Sequence, residues 1–220
     1  ACSKLLRRRC VKPIGQTDNF DLATAERIEV LRGPFSALYG NAAGGVIQVF
    51  TKDGPPRPTF GATTLVGSYG SVTHRLDAGG TLGNFNYIVD GTHFRTDGYR
   101  EHSAAERNNL RVKFRYDLDQ DSSLTTLFNA ENQPYAEDPS GLTAEQARDS
   151  PRFAVPGVYK FGAGESHRDR QLALVYHQQL GQADQLHITG YGGTRRVVQF
   201  LPFPGSSANG GGAVVDLTDD

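Results

Sequence analysis

The sequence lacks the features that mark several common protein classes. Its formal net charge is −1, so no field of one sign indicates a nucleic-acid partner. No stretch approaches the roughly 18 consecutive apolar residues of a membrane-spanning helix. That absence excludes a helical membrane protein. It leaves open a β-barrel, whose strands alternate lipid-facing and lumen-facing residues and therefore keep a low mean hydropathy.

Cysteine is scarce and confined to one end of the chain. Cys2 and Cys10 both lie in residues 1–15, and their spacing matches no zinc or redox motif. The same segment is basic, has no acidic residue and lacks the apolar core of a secretion signal. We therefore expect residues 1–15 to be an atypical segment, disordered or artefactual. For an exported protein, the true start would be missing.

Signatures of enzymes are also lacking. The six histidines are scattered without metal-binding spacing. The run from Gly162 to Ser166 is followed by His167 where a dinucleotide motif needs glycine, and the glycines at 210–212 lack the lysine of a phosphate loop. No nucleophile elbow with triad context is found. We expect no enzymatic activity, no catalytic residue, no metal site and no cofactor.

Strands are what the sequence does contain. In 109–118, apolar residues alternate with charged ones, which is the period of a strand with one apolar and one charged face. In a soluble sandwich the apolar face would form the core, whereas in a membrane barrel it would face lipid. The pattern by itself leaves both interpretations open. The apolar set is Leu110, Val112, Phe114, Tyr116 and Leu118; the charged set is Arg111, Lys113, Arg115 and Asp117.

Strand length and loop length favour the membrane interpretation. Several predicted strands reach about ten residues, the spanning length, against five or six in soluble sheets. Short turns alternate with long loops at 96–107 and 134–167, as in outer-membrane barrels. The sequence therefore predicts an all-β membrane protein. The other predicted strands are 58–67, 72–81, 85–95, 122–133, 168–180, 184–200 and 213–218.

One longer motif precedes these strands. Residues 25–52 predict a strand, a turn with at most one helical turn, a glycine-rich turn and a second strand. Pattern alone fits a soluble α/β element equally well. The ordered set of residues, however, closely resembles the end of the plug domain of TonB-dependent outer-membrane receptors. The matching positions include Glu26, Arg27, Glu29, Arg32, Gly33, Pro34, Tyr39, Gly40, Gly44 and Gly45.

The resemblance implies a fold and a location. Residues 16–52 would be the C-terminal part of an α+β plug domain, and 53–220 would be about the first eight strands of a transmembrane antiparallel barrel of about 22 strands. The chain is then expected to be a fragment without its signal peptide, coupling box, first half of the plug and last strands. Its place would be the bacterial outer membrane. The charged plug residues would contact the inner wall of the barrel.

The resemblance also implies an importer that uses inner-membrane energy through a TonB-type coupling protein. Its other partners would be outer-membrane lipid and a scarce small ligand, most simply a ferric siderophore or another iron complex. A signalling or adhesion receptor on the same scaffold remains an alternative, as does a transporter of cobalamin, haem or another metal complex. A passive porin is disfavoured because a plug has no use in an open pore.

The long loop 134–167 is the candidate for ligand contact. Structureless loops of this length are unusual and commonly functional, and its position predicts exposure at the cell surface. Aromatic faces and cations could hold an anionic iron complex, although a loop that merely shields the barrel mouth fits as well. The expected ligand-facing residues are Tyr135, Arg148, Arg152, Phe153, Tyr159 and Lys160.

Overall fold

A computed structural model of the chain describes residues 24–33, 44–204 and 212–219. The chain divides into two compact units, Ala1–Gly54 and Pro55–Asp220. The segment 1–15 lies outside the described residues, as do Pro34, Tyr39 and Gly40 of the plug-like motif.

The first unit contains an antiparallel hairpin of β1 (Ala25–Arg32) and β2 (Gly45–Thr51). Val30 lies opposite Ile47, so the two apolar runs predicted as strands pair with each other. Gly45 has φ +137°, and a Cβ there would lie 2.6 Å from the carbonyl oxygen of Leu31. This position therefore requires glycine, because a side chain would collide with backbone.

In its described residues, the second unit consists of eight strands and two short helices. The helices are α1 (Ala144–Asp149) and α2 (Pro156–Phe161), both inserted between β7 and β8. Neighbouring strands along the chain pair antiparallel in the order β10-β9-β8-β7-β6-β5-β4-β3. The strands are β3 (Thr59–Val66), β4 (Val72–Leu82), β5 (Phe85–Thr96), β6 (Ala105–Asp117), β7 (Ser122–Glu137), β8 (Gly164–Gln179), β9 (Gln185–Pro204) and β10 (Gly212–Asp219).

The predicted strands are confirmed, but β6, β7, β8 and β9 each extend four residues beyond a predicted bound, so that the loop predicted at 96–107 is 97–104. Between β7 and β8 the cause is a bulge. The ladder continues past a register shift between Gln133 and Ala136, and Ala136 still pairs with Glu165. A bulge admits an extra residue without ending the pairing. In the sequence a bulge looks like the end of a strand, because the alternation of apolar and polar residues stops there. The loop between these strands is therefore 138–163, shorter than the 134–167 that the sequence predicts.

One face of the sheet is apolar and exposed. Residues that pair across neighbouring strands share this face: Tyr87 lies opposite Phe114, and Phe114 lies opposite Thr126. Contiguous exposed apolar surface of this extent marks contact with a membrane or a protein. Large exposed side chains at the outward positions of the sheet are Phe60, Leu76, Leu82, Leu110, Phe114, Tyr116, Leu118, Leu124, Leu172, Leu174, Leu180 and Ile188.

The opposite face carries charge, and part of that charge is buried. Asp90 is 1% exposed, and its carboxylate lies 2.5 Å from Nε of Arg75 on the neighbouring strand. On β7 and β8, a Glu131 carboxylate oxygen lies 3.1 Å from Nε2 of His167, and both side chains are buried. A buried carboxylate is tolerated where a cation pairs with it, as Arg75 pairs with Asp90. The covered face of this sheet is thus the polar one, which is the reverse of a soluble sandwich.

Strand β6 shows both faces at once. Leu110, Phe114 and Tyr116 are exposed, whereas Arg111 and Lys113 on the other side are partly covered. The apolar run Leu110–Leu118 extends about 26 Å along the strand at 3.3 Å per residue, which at the roughly 40° tilt of barrel strands spans about 20 Å of an apolar band that is about 25 Å tall. Neither helix in the described ranges is long and apolar enough to cross a membrane.

Candidate functional site at the long-loop end of the sheet

The two ends of the sheet differ in how the strands are joined. At one end the connections are short: Gly83 with φ +60° lies between β4 and β5, and a tight turn joins β6 to β7. In that turn the Ser122 hydroxyl and the Asp121 N–H, at 2.8 Å, hydrogen bond to Asp119 and lower the pKa of its carboxyl group. This end consists of closed turns with little surface for a ligand.

The two long connections, 97–104 and 138–163, lie at the other end together with the short connection 67–71. All three non-glycine residues with positive φ in the described ranges lie here: Tyr69 (59°), His102 (52°) and Ser140 (62°). Such conformations persist where surrounding contacts fix them, and they are found preferentially at functional sites. We therefore take this end as the candidate site.

The longest connection, 138–163, is folded. Thr143 begins α1 with a capping box, in which its side chain accepts from the Gln146 N–H and the Gln146 side chain accepts from the Thr143 N–H. Pro156 stands in the first turn of α2, and Gly162 ends that helix in the left-handed conformation (φ 58°). These signals explain why helices form in a segment without strand alternation.

A small apolar core holds this loop together. Ala154, Val158 and Ala163 are almost fully buried, and Val155 packs against them. Gly157 lies against strand β9, because a Cβ there would be 2.9 Å from the carbonyl oxygen of Pro202. The loop is thus seated on the sheet by close packing and has its own interior.

Arg100 joins this loop to the shorter loop 97–104. Its guanidinium donates to the carbonyl oxygens of Ser140 at 2.6 Å, Pro139 at 3.1 Å and Phe153 at 2.7 and 3.2 Å. Hydrogen bonds from a charged donor are about twice as strong as neutral ones. Four of them fix two distant parts of 138–163 to one side chain.

Further side chains of the loop 97–104 contact α2. The Tyr159 hydroxyl donates to a carboxylate oxygen of Glu101 at 3.2 Å, and the Tyr159 ring lies 5.2 Å from the ring of His102. Desolvation first, then the Glu101 hydrogen bond and charge, raise the pKa of Tyr159. Nε2 of His102 lies 2.7 Å from the carbonyl oxygen of Ala163. The two loops therefore form one packed surface, which we call the loop platform (residues 97–104 and 138–163).

Exposed tyrosines surround this platform. Tyr69 and Tyr99 meet edge to face with ring centroids 5.2 Å apart, and the Tyr69 carbonyl accepts from the Asp97 N–H at 2.9 Å. Tyr159 and Tyr135 are also exposed. Aromatic faces at one end of the sheet are suited to stacking against a planar ligand.

The structure places the predicted loop residues in different settings. Tyr135 is not in the loop: it belongs to β7 and pairs with Glu106, because the strand continues beyond the predicted boundary. Phe153 is partly buried and contributes its carbonyl oxygen to Arg100. Arg152 is exposed, and its Nε donates to the Tyr99 carbonyl at 3.1 Å.

The other three predicted residues present side chains to solvent. Tyr159 is 54% exposed. The Lys160 ammonium lies 5.3 Å from the ring centroid of Phe161. Arg148 is exposed, and its Nε donates to the carbonyl of Ala144 in its own helix. Arg152, Tyr159 and Lys160 thus lie within one short stretch of the platform, 152–160, and Arg148 precedes that stretch in the sequence.

Sequence reasoning missed Arg100, Glu101 and His102. Their partners are 39 to 61 residues away in the chain, and most of these partners are backbone carbonyls, which carry no residue-specific signal. No local pattern after Tyr99 distinguishes Arg100 from an ordinary surface arginine. Among the described residues, no group of three histidine, cysteine, aspartate or glutamate side chains is placed to hold a metal ion.

The plug-like motif contributes a second set of charges, in the first unit. Arg27 pairs with Glu29 at 2.7 Å and lies over the Phe50 ring, with the guanidinium carbon 4.1 Å from the ring centroid. Glu26 and Arg32 are exposed on β1. Gly33 has φ +124° and Gly44 follows the undescribed stretch before β2. The hairpin therefore keeps its charges at its surface.

Known proteins resemble both the hairpin and the sheet of this chain. The family model of the TonB-dependent Receptor Plug Domain matches residues 12–46. The chain is therefore similar to the TonB-dependent receptors through its plug-like segment. The "Metal-pseudopaline receptor CntO" of Pseudomonas aeruginosa strain UCBPP-PA14 is 31% identical over 108 residues, which cover 47% of this chain and 15% of that receptor.

Two solved siderophore receptors have a fold similar to that of this chain. The siderophore receptor PiuA from Acinetobacter baumannii superposes with TM-score 0.64 at 13% identity, covering 80% of this chain and 27% of that chain. PirA from the same organism gives 0.56 at 18% identity, covering 89% and 30%. The sheet therefore has the fold of part of a β-barrel receptor, and the chain spans under a third of the length of these relatives.

Proposed function

We propose that this chain is part of an outer-membrane importer for a metal complex carried by a small organic chelator, most simply a ferric siderophore. The relatives support the ligand class: one is a receptor for metal-pseudopaline, and others are siderophore receptors. In this proposal, residues 16–52 are the C-terminal part of the plug domain, and 53–220 supply about the first eight strands of the barrel.

The loop platform is the observation that carries the proposal. It is held by Arg100 and by its own apolar core, so its backbone has a defined conformation before a ligand arrives. Preorganisation of this kind lowers the entropic cost of binding. Arg152 and Lys160 offer positive charge, and Tyr159 offers a ring face and a hydroxyl. Together they suit an anionic chelate with planar donor groups.

The plug-like hairpin supports the transport step. Glu26, Arg27, Glu29 and Arg32 place alternating charge on one short strand. Charged groups that pair through water-accessible contacts can separate at modest cost, which suits an element that must move. We propose that a TonB-type coupling protein drives that movement from the inner membrane.

The test is uptake by cells that produce the full-length receptor. Cells supplied with a panel of ferric siderophores carrying radioactive iron should accumulate at least one of them, and accumulation should stop when the coupling protein is deleted. Binding to whole cells should persist in that deletion. Binding without coupled uptake of any complex would contradict the importer and favour a signalling or adhesion receptor.

A further inference from the structure

Two histidines face each other on the polar face of the sheet, near the end with the short turns. His177 on β8 pairs directly with His187 on β9, and their ring centroids lie 4.6 Å apart at an interplanar angle of 48°. His177 also lies opposite Ser123, which lies opposite Asp117, so both rings share the charged face of β6. We call His177 and His187 the histidine pair.

The fold makes little use of the ring nitrogens in this pair. Among the described residues, His177 makes no hydrogen bond and no ion pair. Nε2 of His187 lies 3.4 Å from the side-chain oxygen of Gln185. Since that oxygen can only accept, Nε2 is the donor and Nδ1 keeps its lone pair. Two rings in contact thus each offer a lone pair.

A second pair of histidines on paired strands differs in this respect. The rings of His74 and His93 are nearly parallel, at 9°, with centroids 6.3 Å apart. Nδ1 of His74 lies 3.1 Å from the Thr64 hydroxyl oxygen, and Nδ1 of His93 lies 2.7 Å from the side-chain oxygen of Asn108. Hydrogen bonds account for those two rings, whereas His177 has no such partner in the described part of the chain.

The charges around the histidine pair favour a cation. The strand ends and turns at 115–123 and 176–187 contain four aspartates and one arginine. The arginine is Arg115, whose Nε is already paired with Asp117 at 2.9 Å. A surface with an excess of one sign of charge raises the local concentration of the opposite ion. The aspartates are Asp117, Asp119, Asp121 and Asp184.

We propose that the histidine pair binds a divalent transition-metal ion, such as Cu²⁺ or Zn²⁺, through one nitrogen of each ring. Imidazole is a preferred ligand of these ions. Metal–nitrogen bonds of about 2.0–2.1 Å hold two ligand nitrogens about 3 Å apart, a separation that two rings in contact across neighbouring strands can provide. The Gln185 oxygen acts as the acceptor that orients a metal-bound imidazole.

The site is distinct from the loop platform and takes a bare ion. It lies at the opposite end of the sheet, and no third histidine, cysteine, aspartate or glutamate of the described residues completes it. Water fills the remaining positions, so the ion exchanges with solution. The sequence predicts no metal site because ten residues separate the two histidines, and only the register of β8 and β9 brings them together. The inference depends neither on the imported ligand nor on membrane placement.

The experiment uses the full-length receptor, purified in detergent and washed with a chelator, with Cu²⁺ alone as the probe. Equilibrium dialysis measures the bound ions, and electron spin echo envelope modulation counts the imidazoles on each ion. Wild type should show Cu²⁺ coupled to two imidazoles. His177→Asn and His187→Asn should each weaken that site at least about tenfold and remove the two-imidazole signal. His93→Asn, in the other pair, is the matched control.

Each outcome decides the proposal. Loss of the two-imidazole signal in both variants, with the signal kept in His93→Asn, supports it. Absence of the signal from wild type, an unchanged signal in either variant, or equal loss in the control would overturn it. His187 is exposed, so His187→Asn with the same control tests the site if His177→Asn fails to fold.

Discussion

The guanidinium of Arg100 donates two hydrogen bonds to the carbonyl oxygen of Phe153, at 2.7 and 3.2 Å, although 53 residues separate them in the chain. Since Ser140 and Pro139 accept from the same side chain, one residue fixes the beginning and the middle of a connection that holds two helices. The loop platform therefore depends on Arg100, a residue that no sequence pattern indicated.

Arg100→Ala should release the loop 138–163 and leave the sheet intact. Charged hydrogen bonds to partly buried carbonyls contribute about 1.5–3 kcal/mol each. Loss of about 3 kcal/mol of local stability should speed amide exchange in 138–163 roughly 100-fold. Hydrogen exchange followed by mass spectrometry measures this. Arg148→Ala is the control, because its Nε bonds within its own helix; equal acceleration in both variants would contradict the assignment.

An epitope inserted at Gly141 should be accessible to antibody on intact cells. Gly141 is exposed, and no atom lies within 4 Å of the position that a Cβ would take there, so an insertion meets no neighbour. Gly181, in a short turn at the other end of the sheet, has the same open surroundings and should be reached after permeabilisation. The opposite pattern of labelling would reverse the proposed topology.

Spin labels at Phe114 and Arg115 should report different surroundings. Phe114 is exposed and Arg115 is partly covered, and they lie on opposite faces of β6. In the full-length receptor in lipid, the label at 114 should be quenched by oxygen and the label at 115 by a water-soluble nickel complex. Phe114→Arg should also cost about 2–4 kcal/mol near the bilayer midplane, measured by urea titration of folding into vesicles. Equal quenching at both sites would contradict the proposed membrane placement of β6.

Asp90→Asn should destabilise the receptor far more than Asp77→Asn. Both carboxylates approach Nε of Arg75, Asp90 at 2.5 Å and 1% exposed, Asp77 at 3.8 Å and 38% exposed. Removing one partner of a buried pair costs about 3–5 kcal/mol, whereas an exposed pair contributes about 0–1 kcal/mol. Urea unfolding midpoints of the two variants provide the comparison, and similar midpoints would show that burial of Asp90 does not matter.

Tyr159 should ionise at a higher pH than an ordinary tyrosine, and Glu101→Gln should bring its pKa back down. The protonated hydroxyl is the donor to Glu101, so the folded state holds this proton more tightly than the unfolded state. The contact is therefore complete below the ordinary tyrosine pKa of about 10 and is lost as the pH rises through the raised value. Absorbance titration of wild type against Tyr159→Phe isolates this group. Glu145→Gln, in α1, is the control and should leave the titration unchanged.

Much of the fold could be read from the sequence because it is encoded locally. The alternation in Leu110–Leu118 fixes a strand and its two faces, and short polar turns fix antiparallel neighbours. The plug-like motif in residues 25–52 predicts the plug-domain resemblance that the family model matches over residues 12–46, including positions that the structure does not describe. What alternation could not decide was which face is covered: the burial of Asp90 and Glu131 and the exposure of Phe114 did so.

The candidate site was decided by tertiary structure. The sequence marked 134–167 as one long loop, but continued pairing after a bulge placed Tyr135 in β7. Phe153 acts through its carbonyl, and Arg100 finds acceptors that any residue could provide. Contacts between side chains and distant backbone leave no pattern along the chain, whereas periodic alternation and turn chemistry do. That difference in physical origin separates what this sequence determined by itself from what only the folded chain decided.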